Sequence, residues 1–342
     1  MKKKPNILLI YTGGTIGMIK NSETGALENF NFNDLLESIP ELNLLDCNIS
    51  SKSFSNPIDS SNMKPSNWIE IGTIIEDNYK NYDGFVILHG SDTMSYTASA
   101  LSFMLENLSK PVIFTGSQLP IGDLRTDAKE NLITSIQIAS LVENNQPVVQ
   151  EVGLYFEYKL YRANRTTKIN AEHFEAFDSP NYPPLIISGV NLSINYQSLL
   201  TAKKNKKLVV HKIFEPNILL VKLFPGINKE TINHLFSRPN LKGMIFETYG
   251  SGNITNEKWF LKALKIIIDK KIPVVNVTQC AGGSVDMKIY STNVIYRNIG
   301  IISGKDISTE AAVTKLMLML GQNIPANNFK TKFETSLRGE MK

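Results

Sequence analysis

Cysteine is nearly absent from the chain, and so are the features of secreted and membrane proteins. Two cysteines in 342 residues, Cys47 and Cys280, cannot build a disulfide framework and suit a reducing compartment. No segment approaches the roughly 18 consecutive apolar residues that a membrane-spanning helix needs. The basic N-terminus followed by Ile7–Tyr11 is too short for a secretory signal and ends in two glycines. We therefore expect a cytoplasmic protein without a membrane partner.

A strong charge of one sign is also missing. The net charge is +4, and part of it comes from lysine runs at 2–4 and 203–207. A nucleic-acid surface needs basic residues clustered on one face with aromatic side chains among them, which neither run has. The histidines His173, His211 and His234 fit no zinc-binding spacing. The sequence predicts no nucleic-acid partner and no metal.

Short apolar runs alternate with longer amphipathic runs along the chain. Strands are predicted at Ile7–Tyr11, Gly84–Leu88, Val112–Thr115, Val152–Phe156, Ile218–Leu223, Met244–Thr248 and Val274–Thr278. Helices are predicted at Pro65–Asn78, Thr93–Asn107, Thr126–Val142, Lys229–Phe236, Lys258–Lys270 and Thr309–Leu320, the last with Ser308 as N-cap. This alternation predicts an α/β fold with mainly parallel sheets flanked by helices.

The length and one change of character predict two domains. Residues 193–214 are polar, lysine-rich and without clear periodicity, which is typical of a linker. The prediction is an N-terminal α/β catalytic domain over residues 1–192, a linker over 193–214 and a smaller C-terminal α/β domain over 215–342.

Polar residues follow the predicted strands of the first domain. In open parallel sheets, ligands bind outside the carboxyl ends of the strands. The strand ends carry TGGT at 12–15, HGSDT at 89–93 and GSQ at 116–118, and YRANRTTK follows at 161–168. This collection of hydroxyls and amides with one lysine, Lys168, indicates a site at that edge of the sheet.

The TGGTIG stretch at 12–17 admits three interpretations. A dinucleotide or phosphate loop is disfavoured, because neither G-x-G-x-x-G nor Gly-Lys-Ser/Thr is present. A plain tight turn would explain the glycines but not the threonine on each side. A nucleophilic Thr15 would need a base, for which His89 and Lys168 are candidates, and glycines that let backbone N–H groups approach a substrate. From the residues alone, His89 is either the base or a packing residue.

Several separated motifs resemble those of the asparaginases, in the same order along nearly the whole chain. They are TGGTIG at 12–17, HGSDTM at 89–94, TGSQ at 115–118, LRTDAKENL at 124–132, YRANRTTK at 161–168, FDSPNYPPL at 177–185 and VTQC at 277–280. The resemblance is strongest to the cytoplasmic, type I bacterial L-asparaginases. It implies an asparaginase-like fold built from Rossmann- or flavodoxin-like domains.

The resemblance implies four catalytic residues. Thr15 matches the nucleophile that attacks the side-chain amide and forms an acyl-enzyme. Ser91 stands at the second hydroxyl, Asp92 matches the aspartate that binds the substrate α-amino group, and Lys168 matches the lysine that acts through the second hydroxyl.

The resemblance also implies the binding residues around the substrate. Asp59, Ser60 and Ser61 match the loop that holds the α-carboxylate and α-amino groups, and Gly90 and Ser91 are expected to supply backbone N–H groups. His89 then becomes a structural residue of its motif rather than the base.

Three positions depart from the family pattern. Ser91 replaces a threonine, so its rotamer is less restricted. Ala26 stands where the family carries a loop tyrosine beside the nucleophile. Thr278 and Cys280 match a second, allosteric asparagine site, but Glu247 replaces its arginine, and a carboxylate there argues against control by asparagine.

The expected function is hydrolysis of L-asparagine to L-aspartate and ammonia without a cofactor. The resemblance implies self-association as a homodimer or homotetramer. Two alternatives stay open: a glutaminase or broader amidase of the same fold, and an amino-acid sensor that kept the pocket but lost turnover.

Overall fold

The computed structural model describes residues 4–20, 27–29, 39–287 and 291–342. The chain divides into two compact units, Met1–Lys212 and Ile213–Lys342. The helices of the first unit are α1 (Pro65–Asn78), α2 (Met94–Met104) and α3 (Ala128–Ala139), and those of the second are α4 (Lys229–Phe236), α5 (Lys258–Asp269), α6 (Ser291–Asn298), α7 (Thr309–Gly321) and α8 (Ala326–Phe333).

The strands of the first unit are β1 (Asn6–Tyr11), β2 (Met18–Lys20), β3 (Leu27–Asn29), β4 (Asn48–Ser53), β5 (Gly84–Leu88), β6 (Leu105–Glu106), β7 (Val112–Thr115), β8 (Val142–Glu143), β9 (Gln146–Pro147), β10 (Val152–Phe156), β11 (Lys159–Arg162), β12 (Thr167–Lys168), β13 (Phe177–Asp178), β14 (Ile186–Ser188), β15 (Leu192–Ile194) and β16 (Val209–Val210). Those of the second unit are β17 (Ile218–Lys222), β18 (Gly243–Thr248), β19 (Val274–Thr278) and β20 (Ile302–Ser303).

The first unit is organised around an eight-stranded sheet with the order β15-β14-β11-β10-β7-β5-β1-β4. The strands from β4 to β10 are parallel, whereas β11, β14 and β15 continue the sheet by antiparallel pairing. The parallel part has the doubly wound order 2-1-3-4-5, in which the chain goes to one side of β1 and then returns to the other. That reversal is a topological switch point, and ligands bind in the crevice that it opens.

Strand β1 is buried on both faces, as expected for the centre of a parallel sheet. On one face, Ile7, Leu9 and Tyr11 share a core cluster with Leu132 and Ile136 of α3. Each buried Leu or Ile contributes roughly 1.5–3 kcal/mol relative to an exposed position. The core therefore fixes the end of β1, from which the TGGT stretch departs.

The second unit contains a four-stranded parallel sheet with the order β17-β18-β19-β20. Phe246, Phe260 and Leu264 lie in its core cluster. A buried lysine of α7, Lys315, donates to Glu340 Oε1 at 2.5 Å and to the Phe333 carbonyl at 2.7 Å. These bonds attach the C-terminal segment to α7.

The α/β class is confirmed, and the predicted elements differ from the structure mainly at their ends. The predicted helix Thr93–Asn107 stops at Met104, because the next two residues form β6 and pair with β16. The helix predicted from Thr126 begins at Ala128, and the Thr126 hydroxyl accepts the Ala128 N–H. Ser308 is confirmed as the N-cap of α7, since its hydroxyl accepts the Ala311 N–H at 3.3 Å.

The segment predicted as a linker, residues 193–214, is more structured than its composition indicates. It overlaps β15, which pairs with β14 at the edge of the main sheet, and it contains all of β16. Polar edge strands lack the apolar alternation on which the prediction depended.

None of the helices in the described part of the chain combines the length and the apolar character that crossing a membrane demands.

Candidate active site

The TGGT and HGSDT stretches leave the sheet side by side. Strands β1 and β5 are parallel neighbours, and Tyr11 pairs with Leu88 at their carboxyl ends. The Thr12 backbone N–H and hydroxyl both donate to the Leu88 carbonyl, at 3.0 and 2.9 Å. The two stretches therefore start from the switch point of the sheet, as the strand-end argument predicts.

The two loops touch at their glycines. Gly14 has a φ of +92°, and a Cβ added there would lie 2.4 Å from the Gly90 nitrogen and 2.5 Å from the Gly90 Cα. Gly13 has a φ of +128°, and a Cβ there would lie 2.2 Å from the Ile58 carbonyl oxygen. Close approach of backbone to a substrate was the expected reason for these glycines. The structure adds a second reason: their missing side chains make room for the neighbouring backbone segments.

This contact brings together the backbone segments that carry the candidate nucleophile and the second hydroxyl. Thr15 follows Gly14 and begins a short 3₁₀ turn, and Ser91 follows Gly90 and begins another. Both residues are half-buried. Thr15 and Ser91 therefore each lie one residue after the contact between the Gly14 and Gly90 backbones.

A third loop reaches the same place from the end of β4. The Asp59 carboxylate caps a 3₁₀ turn by accepting the Ser61 N–H at 2.9 Å. Ser60 is buried, and a Cβ on Gly90 would lie 2.6 Å from its Oγ. The Thr93 hydroxyl donates to the Ser60 carbonyl at 2.8 Å. All three expected binding residues thus lie beside the HGSDT loop, with the Asp59 and Ser61 side chains exposed.

Lys168 completes the group of polar residues. Its ammonium donates to Ser91 Oγ and to Asp92 Oδ1, both at 2.8 Å. The lysine lies on β12, which pairs with β13 so that Lys168 is opposite Phe177. The lysine side chain is 18% exposed and the aspartate 66%, so the ion pair has one sheltered and one open partner. Ser91, Asp92 and Lys168, predicted as one group, are assembled.

The His89 side chain is buried below the HGSDT loop. Its ring is fully buried, and its Nδ1 lies 2.7 Å from the Gly90 carbonyl oxygen. Burial lowers the pKa of His89 to about 4, although the Gly90 contact opposes the shift. The imidazole is therefore neutral near pH 7 and supports the Gly90 peptide, which agrees with a structural role.

Sequence reasoning missed one side chain of this site, the amide of Gln118. It lies after β7, and its Oε1 accepts from the Ser91 hydroxyl at 3.3 Å. The carboxylate of Asp127 accepts the Gln118 N–H, and burial raises the pKa of that carboxyl against the opposing hydrogen bonds. TGSQ is a recognisable motif, but nothing in its spacing indicates that the Gln118 amide points at Ser91.

The residues of the candidate allosteric site lie in the second unit. The Thr278 hydroxyl donates to the Gly250 carbonyl at 2.6 Å and accepts the Cys280 N–H at 3.1 Å. Glu247 accepts from the Thr309 hydroxyl at 2.7 Å. The register pairs Glu247 with Val277, so its side chain points to the opposite face of the sheet from Thr278.

The predicted departure at Ala26 lies outside the described residues. In the described ranges, no group of three or more His, Cys, Asp and Glu side chains is arranged to hold a metal ion.

The sequence profile of the asparaginase N-terminal domain matches residues 6–200, and that of the glutaminase/asparaginase C-terminal domain matches residues 217–333. The chain belongs to the asparaginase family. L-asparaginase 1 of Escherichia coli K12 is 40% identical over 340 residues, which are 99% of this chain and 98% of that protein. The crystal structure of L-asparaginase I from Vibrio cholerae superposes with a TM-score of 0.91 at 39% identity, covering 99% of this chain and all of that one.

A longer relative extends the family likeness beyond bacteria. The mouse 60 kDa lysophospholipase is 39% identical over 373 aligned residues, which include all of this chain but 63% of that protein. The predicted asparaginase-like fold and the predicted family are both confirmed by these matches. The chain is an asparaginase-family hydrolase.

Proposed function

We propose that this chain hydrolyses the side-chain amide of L-asparagine, with Thr15 as the nucleophile. One observation carries the proposal: Thr15 and Ser91 each follow a glycine of the Gly14–Gly90 contact at the switch point of the sheet, and the Ser91 hydroxyl is hydrogen-bonded to a lysine. Amide hydrolysis needs a nucleophile and a group that accepts its proton, and these residues supply both without a cofactor. The relatives named L-asparaginase favour asparagine as the substrate.

The reaction has two steps. The Thr15 hydroxyl attacks the amide carbon, the C–N bond breaks, and the proton lost by Thr15 leaves with ammonia. Water then attacks the resulting ester, its hydroxyl stays with aspartate, and its other proton restores Thr15. Ser91 and Lys168 are hydrogen-bonded to each other, so a lysine in its free-amine form can take the Ser91 proton while Ser91 takes that of Thr15, and the pair holds the proton until ammonia leaves.

The charges at the site suit a small zwitterion. Asp92 has an exposed carboxylate, which we propose binds the substrate α-ammonium. Ser60, Ser61 and Asp59 lie on the neighbouring loop, where we propose that the Ser60 and Ser61 hydroxyls donate to the α-carboxylate. Gly90 and Ser91 contribute backbone N–H groups in the same proposal.

The test is ammonia release by the purified chain from L-asparagine, L-glutamine and D-asparagine. We expect release mainly from L-asparagine and a loss of at least about 10³-fold in Thr15→Ala, since the nucleophile is removed. Thr201→Ala, which changes an exposed threonine of the same unit, is the matched control and retains full activity. Mass spectrometry of the quenched reaction should detect an aspartyl adduct on the wild type only.

The alternatives predict other outcomes of this assay. Release mainly from L-glutamine would favour the glutaminase. Binding of asparagine without release from any substrate would favour the sensor and reject the enzyme proposal. Activity of Thr15→Ala equal to that of the wild type would reject Thr15 as the nucleophile.

We also propose a cytoplasmic location and a homo-oligomeric state for the active protein. The two cysteines, one buried and one exposed, are both free, which fits a reducing compartment. Light scattering of the purified chain measures the subunit number directly, and a monomer with full activity would contradict the second part.

A further inference from the structure

The Ser91 side chain is less restricted than the threonine that the family pattern implies at this position. A serine side chain has three staggered rotamers, whereas β-branching restricts threonine. The Ser91 oxygen must nevertheless stay beside the Lys168 nitrogen for the proton path of the proposed reaction. Some other group has to select the rotamer.

The hydrogen bonds of Ser91 identify that group. Lys168 donates to Ser91 Oγ at 2.8 Å. An ammonium has no acceptor, so the hydroxyl proton must point elsewhere. The acceptor within reach is Gln118 Oε1, at 3.3 Å.

The orientation of the Gln118 amide is determined by its other partners. Its Nε2 donates to the carbonyl oxygens of Ala171 and His173, at 3.2 and 3.0 Å. Carbonyl oxygens only accept, so the NH₂ group must face them and Oε1 must face Ser91. The Gln118 backbone is held in turn by the buried carboxylate of Asp127, at 2.9 and 3.1 Å, to which Asn131 also donates.

We propose that Gln118 is the positioning residue for Ser91: by accepting a hydrogen bond from the Ser91 hydroxyl before the reaction starts, it keeps the serine oxygen at Lys168, as a threonine methyl would by steric restriction. This inference rests on the proposed function, and it adds a residue that the resemblance does not assign. Gln118 acts through Ser91 and bonds no reacting atom itself. The same amide also donates to the carbonyl of Ala171, three residues after Lys168. It therefore connects the loop after the lysine to Ser91.

The expected size of the effect follows from the bond. At 3.3 Å the contact is longer than the usual 2.7–2.8 Å for O–H···O, and both partners are neutral. Loss of such a bond corresponds to roughly a three- to tenfold effect. We expect Gln118→Met to lower kcat by about that factor, while KM changes less than about twofold.

The experiment is a double-mutant cycle on the full-length chain. It measures kcat and KM for L-asparagine in the wild type, Gln118→Met, Ser91→Thr and the double variant, with Thr15→Ala as the check on the reaction itself. Gln137→Met, an exposed glutamine on α3, controls for the substitution type. In the Ser91→Thr background, Gln118→Met should lower kcat by less than about twofold, because the methyl group already restricts the rotamer.

Each outcome decides between the two proposals. An equal loss of kcat in the serine and threonine backgrounds, or no loss in either, overturns the role of Gln118 and leaves the proposed function standing. No turnover by the wild type, or turnover by Thr15→Ala, overturns the proposed function and the Gln118 role together. If circular dichroism shows that Gln118→Met does not fold, Gln118→Asn, whose shorter amide cannot reach Ser91, is measured in the same cycle with the same expected pattern.

Discussion

Replacing Gly14 by alanine tests the contact on which the site is built. The new Cβ would lie 2.4 Å from the Gly90 nitrogen, about 1 Å short of the 3.4 Å at which ordinary contact begins. Both partners are backbone atoms, so no side chain can rotate away. The TGGT and HGSDT loops must therefore separate by roughly that distance, or the strand ends must move.

Two terms add up in the loss of stability. A φ of +92° is unfavourable for alanine by about 1–2 kcal/mol. Overpacking against the Gly90 backbone adds about 1–3 kcal/mol. We expect Gly14→Ala to lower the free energy of unfolding by about 2–5 kcal/mol. Activity should fall by about 10²-fold, since a displacement of 1 Å between reacting groups has that effect.

The chain offers controls that separate the two terms. Gly226 has a φ of +97° with nothing within 4 Å of an added Cβ, so Gly226→Ala carries the backbone strain without the collision. Gly122 also has open space, without a positive φ, and lies in the same unit as Gly14. Both control variants should keep full activity.

Urea denaturation followed by circular dichroism gives the stabilities, and ammonia release gives the activities. The transition of each unit is compared with that of the wild type, because Gly226 lies in the second unit. A Gly14→Ala enzyme with full activity and no more destabilisation than Gly226→Ala would refute the loop contact.

Three further predictions concern buried ionisable groups. Burial lowers the pKa of His89 from 6.5 to about 4, so between these pH values the unfolded chain binds a proton that the folded chain does not. The free energy of unfolding should therefore fall by up to roughly 3 kcal/mol as the pH drops from 6.5 to 4. Urea midpoints measured across that range should depend less on pH in His89→Gln than in the wild type. Lys315→Met leaves the Glu340 carboxylate buried without its cation and should lower the free energy of unfolding by about 3–5 kcal/mol, measured in urea; Lys315→Met/Glu340→Leu should lose less than the sum of the two single losses. Glu151→Gln weakens the buried pair with Arg162, at 2.6 Å, and should make the segment after residue 198 sensitive to limited proteolysis; unchanged cleavage would contradict a supporting role for this pair.

The local parts of the fold could be predicted because they depend on local patterns. The strands Gly84–Leu88, Val112–Thr115 and Val152–Phe156 have the predicted bounds, since each is a short apolar run between turn residues. Strand β4, with the sequence NISSKS, was missed because an edge strand needs few apolar residues. Its pairing beside β1 creates the switch point, and strand order is a long-range property that no window of sequence contains.

The candidate site also has a part that local sequence predicts and a part that it does not. The rule that ligands bind at strand ends selected the loops that hold Thr15, Ser91 and Asp92. The role of Gln118 could not be selected, because its amide is oriented by backbone carbonyls more than 50 residues away in sequence. Every residue has a backbone carbonyl, so such a partner cannot be recognised from the sequence of either segment.

The glycines show that a motif can have a structural reason that its own sequence does not contain. Read within TGGT alone, Gly13 and Gly14 suggest that a substrate comes close to the chain. In the folded chain the space at Gly14 is taken by Gly90, and the space at Gly13 by the backbone of Ile58. Each glycine is therefore required by another segment of the protein, and a side chain at Gly14 would act first on the distance between Thr15 and Ser91. The two glycines answer to different neighbours, because a Cβ at Gly14 would collide with the Gly90 backbone, whereas a Cβ at Gly90 would collide with the Ser60 side chain.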